Sequence, residues 1–284
     1  MKTNSLLVVA TLLGLTLSAL AQTEVIDLPA SPFEGNNLKI RAGQVEGVST
    51  ATAIGHCNAV GTESRVLYHA CDVADLTLAT LIATPAVVGV ASTDVDDDAD
   101  GAATGATAVQ VTGLNASLVE TTETVVLNGQ TEVATTTVFY VVTKLQVVTA
   151  GSSGFNEGTL WVGGVGSFTA GVPSVKYCAV ESESNQSASA VKAVPAGKQL
   201  HVTGISLASG DTNKLIRFHF NQYDATRDLW YRTYDVHGKQ TFLTQKLEAY
   251  PVLRAGDVLT LQCSVDTGSA AITATVVGVF VDEI

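Results

Sequence analysis

Residues 105–162 constrain the fold more than any other part of the chain. They are rich in Val, Thr, Phe and Tyr, which favour strands, and Asn-Gly and Gly-Ser pairs interrupt them. Four strands are predicted here, at residues 108–112, 120–127, 133–148 and 159–162. The pair Asn128-Gly129 predicts a type I′ hairpin, because that turn needs positive φ at both central residues. We therefore expect an antiparallel meander.

The second half of the chain continues this pattern. Residues 214–223 alternate between two faces, and turn residues recur roughly every 8 to 12 positions, as in sandwiches and jelly rolls. Residues 162–173 are rich in glycine and carry no charge, which indicates a boundary. The predicted fold class is all-β, with two antiparallel β-sandwich (jelly-roll-like) domains at residues 22–170 and 171–284.

The first 21 residues resemble a targeting segment. Lys2 precedes an apolar run at residues 6–17, and Ala19 and Ala21 fit a small-x-small cleavage site. The run is short for a membrane span, which needs about 20 apolar residues. Residues 1–21 are therefore predicted to form a signal-like helix, as a cleaved signal peptide or a retained anchor.

The charge balance disfavours nucleic acid as a partner. The net charge is −12, and Lys and Arg are scattered singly along the chain. Such a surface repels phosphates. Charged residues make up only 15% of the sequence, with small residues in their place, which is typical of assembly proteins and long-lived extracellular proteins.

Four cysteines leave two alternatives open. An even number in an exported chain indicates disulfides, and the preferred pairing is Cys57 with Cys71 and Cys178 with Cys263, one in each domain. In a reducing compartment all four would instead be buried free thiols. A zinc or redox site is not indicated, because the sequence contains no C-x-x-C.

An acidic loop at residues 94–101 is the sharpest local motif. Asp96, Asp98, Asp100 and Gly101 match the first half of a calcium-binding loop, but the twelfth position is Thr107 rather than the bidentate Glu. The alternative is an acidic turn whose carboxylates accept hydrogen bonds from nearby backbone. Calcium is the one candidate cofactor, at Asp96, Asp98 and Asp100.

No motif selects a catalytic site. The sequence has no nucleophile elbow and no local metal-ligand spacing among its histidines, so the chain is predicted not to be an enzyme. An aromatic cluster holds Trp230, Tyr231 and Tyr234. Aromatic residues of this kind form cores and subunit contacts, and on an open sheet face they stack on sugar rings.

The acidic loop that leads into GATAVQVTGL, followed by ETVVLNGQTEVATTT and VVTAGSSG, resembles a family of β-rich virion-associated structural proteins of marine double-stranded DNA viruses and phages. In the second half, NQSASAVKAVPAGKQLHVTGISLASG and the closing ATVVGVFVDE are similar to the same family. The resemblance covers residues 86–284. It implies a capsid, spike or fibre component and transfers no catalytic residue.

These observations predict a non-enzymatic structural protein of the virion that self-associates into a homo-oligomer. The alternative is a secreted carbohydrate-binding or adhesive β-sandwich protein, which the signal-like segment and the aromatic cluster favour. Further partners would be other structural proteins or surface glycans. The predicted location is the virion or the extracellular space.

Overall fold

The computed structural model describes residues 44–68, 84–100, 104–211, 213–239, 242–246 and 252–283. The described residues form strands and contain no helix, so the predicted all-β class is confirmed. The first strands are β1 (Val48–Val60), β2 (Arg65–Val66), β3 (Val88–Ser92), β4 (Ala106–Asn115), β5 (Glu120–Val126), β6 (Val133–Ala134), β7 (Phe139–Ala150), β8 (Leu160–Gly164) and β9 (Phe168–Thr169). The others are β10 (Val172–Pro173), β11 (Lys176–Val180), β12 (Val191–Ala193), β13 (Lys198–Ser209), β14 (Ile216–Asp224), β15 (Leu229–Gly238), β16 (Phe242–Lys246), β17 (Val258–Val265) and β18 (Ala270–Asp282).

Seven of the strands between β3 and β11 build one two-sheet unit, here called sandwich I, while β9 and β10 pair with each other in a separate hairpin. One sheet has the order β5-β4-β7 and the other β11-β8-β3-β6, and all pairs are antiparallel. Both sheets contribute to one apolar core. Its members include Val109, Val111 and Leu145 from the first sheet and Val90, Leu160 and Val162 from the second.

The remaining long strands build a second unit, sandwich II. Its sheets have the orders β1-β18-β13-β16 and β12-β17-β14-β15, and β2 pairs with β17. Their shared core includes Ile205, Ile272 and Val276 from the first sheet and Phe218, Phe220 and Leu261 from the second. The alternation expected at residues 214–223 places Phe218 and Phe220 on the core side, where both are fully buried.

The sheets do not follow the predicted boundary between residues 170 and 171. The strands β1 and β2 precede it but belong to sandwich II, and β11 follows it but completes sandwich I. The cause is long-range pairing, because β1 runs along β18 from Val48 opposite Val281 to Val60 opposite Ala270. Sandwich I is therefore inserted into the chain of sandwich II. The predicted division of the chain into domains at residues 22–170 and 171–284 stays a prediction.

Trp161 joins the two sandwiches. It lies on β8 of sandwich I, is 1% exposed, and packs in the core of sandwich II together with Leu114, Val141 and Ala179. The ring of Tyr68 meets the Trp161 ring edge-on, with centroids 6.4 Å apart. Side chains on one face of β4, β7 and β8 therefore belong to the core of sandwich I, and side chains on the other face belong to the core of sandwich II.

The Asn128-Gly129 turn is present but does not close the predicted hairpin. The Thr131 N–H donates to the Asn128 carbonyl at 2.9 Å, and Gly129 has φ of 53°, whereas Asn128 does not have positive φ. A type I′ hairpin is therefore wrong. The turn carries the chain from β5 in one sheet of sandwich I to β6 in the other.

The predicted signal-like helix at residues 1–21 lies outside the described residues. In the part of the chain that the structure describes, no helix has the length and apolar character that crossing a membrane would require.

Candidate functional site

Asp97 holds the acidic loop against sandwich I. Its carboxylate is fully buried and accepts hydrogen bonds from Ser92 Oγ at 2.5 Å and from the backbone N–H of Ala106 at 2.6 Å. The N–H groups of Glu157 and Gly158 donate to it as well, each at 2.9 Å. A buried carboxylate is stable when it is hydrogen-bonded in this way. Asp97 therefore connects three separate segments of the chain through hydrogen bonds. The spacing of the acidic residues in the sequence did not predict this role.

The three predicted calcium ligands lie in the same loop with different surroundings. Asp96 and Asp100 are exposed and Asp98 is half-buried. The Asp100 N–H donates to Asp98 Oδ1 at 2.9 Å, a local turn of the alternative kind. Across the described residues, these three included, no group of three or more His, Cys, Asp or Glu is arranged to hold a metal ion. Calcium binding stays a prediction.

The predicted disulfide between Cys178 and Cys263 is wrong. Both are free and buried, Cys178 in the core of sandwich I and Cys263 in the core of sandwich II, so the two thiols lie in different cores. Burial raises the pKa of Cys178 to about 11 and that of Cys263 to about 12, which keeps both thiols protonated and unreactive at neutral pH. Cys57 is disulfide-bonded, whereas its predicted partner Cys71 lies outside the described residues.

The predicted aromatic cluster lies on β15, but its members do not share one face. Trp230 pairs with Tyr223 in register, and their rings lie 5.4 Å apart between centroids. Tyr231 pairs with Gln222, projects from the opposite face and is 38% exposed. Tyr234 follows on the same strand, with its side chain outside the described residues. Tyr231 is thus the open aromatic surface, while Trp230 packs against the core of sandwich II.

β15 is also an open sheet edge. Among the described strands it pairs only with β14. Leu229 at its start is 52% exposed. Thr233 has no register partner, which marks a β-bulge. An edge of this kind presents unpaired backbone donors and acceptors that a further strand can use.

Two tyrosine hydroxyls donate hydrogen bonds to turns of sandwich II, and one of them, that of Tyr140, belongs to sandwich I. The Tyr223 hydroxyl donates to Asp228 Oδ1 at 2.6 Å, and the Tyr140 hydroxyl donates to the Gly256 carbonyl at 3.3 Å. Burial, followed by the hydrogen bond to Asp228, raises the pKa of Tyr223. Burial and then the negative charge of Asp257 raise the pKa of Tyr140. Both phenols are therefore neutral at physiological pH and act as hydrogen-bond donors.

His56 takes part in a second polar connection between the sandwiches. Its Nδ1 lies 2.8 Å from Thr273 Oγ1, and its Nε2 lies 2.9 Å from Asn58 Oδ1. The Asn58 amide donates to both carboxylate oxygens of Glu181, each at 3.0 Å. The pairing of β1 with β18 places His56 opposite Thr273, which local spacing in the sequence cannot reveal.

No protein-family model matches the chain, and no curated protein has a matching sequence. Solved structures similar to it include the infectious bursal disease virus Gx strain, with a TM-score of 0.22 and 11% identity over 83% of this chain and 72% of that chain. The T13 particle of that virus has a TM-score of 0.19 and 10% identity over 83% and 73%. Its VP2 subviral particle has a TM-score of 0.17 and 9% identity over 84% and 78%. Similarity at this level carries no conclusion about function.

Proposed function

We propose that the protein is a non-enzymatic structural protein that assembles into a homo-oligomer and serves as a capsid, spike or fibre component of a virion. The observation that carries this proposal is the open edge of β15, where Leu229 and Tyr231 are exposed. The sequence resemblance to virion structural proteins supports it, as does the low proportion of charged residues. The protein would act in the virion or outside the cell, and its first partner is a second copy of itself.

The charges on β15 suit antiparallel pairing of two copies. Arg232 precedes the centre of the strand and Asp235 follows it. If β15 pairs with β15 of a second copy around Thr233 and Tyr234, position 232 of each copy stands opposite position 235 of the other, where the sequence has Arg232 and Asp235. A two-fold interface is self-complementary in this way. Opposite charges that face each other across two strands stabilise the pairing, and like charges oppose it.

The test is a charge swap, read by sedimentation velocity and electron microscopy of the purified protein. Arg232→Asp places like charges opposite each other and weakens self-association by at least roughly tenfold. The double variant Arg232→Asp with Asp235→Arg restores it, because the pair is only exchanged. Val126→Lys on β5, which also alters an exposed side chain at a sheet edge, is the matched control and leaves association unchanged. Thermal melts verify that each variant is folded.

A strictly monomeric native protein at high concentration would contradict the assembly role. If the double variant is folded but does not regain self-association, the proposed β15 register is rejected and another surface must form the interface.

The secreted carbohydrate-binding or adhesive module is a second candidate function, favoured by the exposed ring of Tyr231. A glycan array distinguishes the two candidates. Binding that Tyr231→Ala abolishes in a folded monomer would support the second function. An array without binding, together with ordered particles in micrographs, would remove it.

A further inference from the structure

A polar groove of about 300 Å³ lies where the chain passes from sandwich I to sandwich II. Its walls come from β1, from the neighbouring strands β4, β5 and β7, and from the segment at residues 186–192. That volume is at the lower end of the range for small-molecule sites. The side chains on which the argument depends are Thr52, Thr112, Glu120, Lys144, Ser189 and Lys192.

The groove carries positive charge on an acidic protein. Lys144 and Lys192 line it against one carboxylate, that of Glu120, whereas the whole chain has a net charge of −12. Lys192 Nζ lies 5.2 Å from the centroid of the Phe280 ring. Burial lowers the pKa of Lys192, and the charge of Glu120 opposes that change. A partly desolvated ammonium group of this kind gains from a second carboxylate.

Hydroxyl groups surround these charges. Thr52 is exposed on β1, and Thr112 lies directly across from Lys144 in the sheet, so that both side chains share one face. Ser189 is 7% exposed, and its Oγ has no hydrogen-bond partner among the described residues. Ile54, 48% exposed, adds an apolar patch to the wall. Donors and acceptors beside a small apolar surface match a ligand with several hydroxyls on a carbon ring.

We propose that this groove binds a small hydroxylated carboxylic acid, the chemical class to which the sugar acids belong. The ligand carboxylate pairs with the ammonium groups of Lys144 and Lys192. The ligand hydroxyls form hydrogen bonds with Thr52 and Thr112. They also reach Ser189 once the Ser189 side chain rotates about χ1. This site is separate from the β15 edge and does not depend on the assembly role.

The experiment titrates the full-length protein with D-glucuronate and measures heat by calorimetry. D-glucose, which has the ring and hydroxyls without the carboxylate, and acetate, which has the carboxylate alone, are the comparison ligands. Glucuronate binds at least tenfold more tightly than either. Lys144→Gln and Lys192→Gln each weaken glucuronate binding roughly tenfold, since each removes one charged hydrogen-bond partner. Lys176→Gln, a lysine on β11 outside the groove lining, leaves it unchanged.

Thr52→Val is a variant that we expect to fold, because the position is exposed on a strand and valine is a good strand former. It weakens glucuronate binding roughly threefold with an unchanged melting temperature. The proposal is overturned if glucuronate fails to bind the folded native protein at millimolar concentration. It is also overturned if glucose or acetate binds equally well, or if Lys176→Gln weakens binding as much as Lys192→Gln.

Discussion

Sandwich I and sandwich II have the same two-layer architecture but close in different ways. Sandwich I is built from one continuous stretch of chain, β3 to β11, and a buried carboxylate, Asp97, fastens its loops. Sandwich II is closed by β1 and β18 from opposite ends of the described chain, and apolar rings such as Phe218 and Phe220 fill its core. Pairing between distant segments has a larger loop-closure cost, so we expect sandwich II to form only after the ends meet.

Removing the Trp161 side chain should have the largest effect on the free energy of unfolding, and it should affect both sandwiches. Trp161→Ala empties a fully packed position that belongs to sandwich I by chain and to the core of sandwich II by contact. We expect a loss of about 3–5 kcal/mol in the free energy of unfolding, the usual range for buried Trp→Ala changes. Urea denaturation should measure this loss. Hydrogen exchange, measured separately, should show that amide protection falls both in β8 of sandwich I and in β17 of sandwich II.

Trp161→Phe is the matched control. It retains an aromatic ring beside Tyr68 and removes the indole N–H, which has no hydrogen-bond partner within the described residues. It should therefore cost much less than the alanine variant. A loss confined to β8 and its sheet, with β17 unaffected, would show that Trp161 does not couple the sandwiches.

A substitution at Asp97 should lower the stability of sandwich I without affecting sandwich II. In Asp97→Asn, one carboxylate oxygen becomes an NH₂ group, which cannot accept the hydrogen bond from the Gly158 N–H if the carbonyl stays on Ala106. An unsatisfied buried donor and the lost charge together should cost about 2–3 kcal/mol. Hydrogen exchange should accelerate in β3, β4 and β8 and remain slow in β13 and β18.

Asp96→Asn is the control for that variant, because Asp96 lies next in the chain and is exposed. Its effect should stay within about 0.5 kcal/mol, as for most surface substitutions. Equal losses for the two variants would mean that the acidic loop acts through its total charge rather than through the hydrogen bonds of Asp97.

The features of the fold that depend on neighbouring residues could be predicted from the sequence. Alternation predicted most of the strands and the all-β class, since it depends on neighbouring positions. The single strand predicted at residues 133–148 is wrong, because it is divided into β6 and β7, which lie in different sheets. The expected meander is also wrong, because β7 pairs with β4 rather than with the strand that precedes it in the chain. The assignment of β1 to sandwich II could not be predicted, because nothing near residues 48–60 indicates that their partner is β18. The same limit explains the disulfide error, since Cys178 and Cys263 lie in different cores. Asp97 differs from its acidic neighbours through its contacts with Ser92, Ala106, Glu157 and Gly158.

Alkaline pH should affect the two sandwiches differently, because the tyrosines Tyr223 and Tyr177 have different surroundings. The pKa of Tyr223 is raised by burial and by its hydrogen bond to Asp228, so the native state favours the neutral phenol. Its contribution to stability is therefore fully present below the unfolded tyrosine pKa of about 10 and is lost as the pH rises through the higher folded pKa. Tyr223→Phe should cost about 1 kcal/mol at neutral pH for the lost hydrogen bond.

The measurement is the urea midpoint as a function of pH from about 7 to about 11, across the usual tyrosine range. The decline of the Tyr223→Phe variant should be shallower than that of the native protein. Tyr177→Phe in sandwich I is the control, because burial alone raises the pKa of Tyr177. Its curve should lie closer to the native one. Equal changes in the two variants would show that burial, and not the Asp228 hydrogen bond, governs the alkaline response, and the contrast between the sandwiches would then disappear at this position.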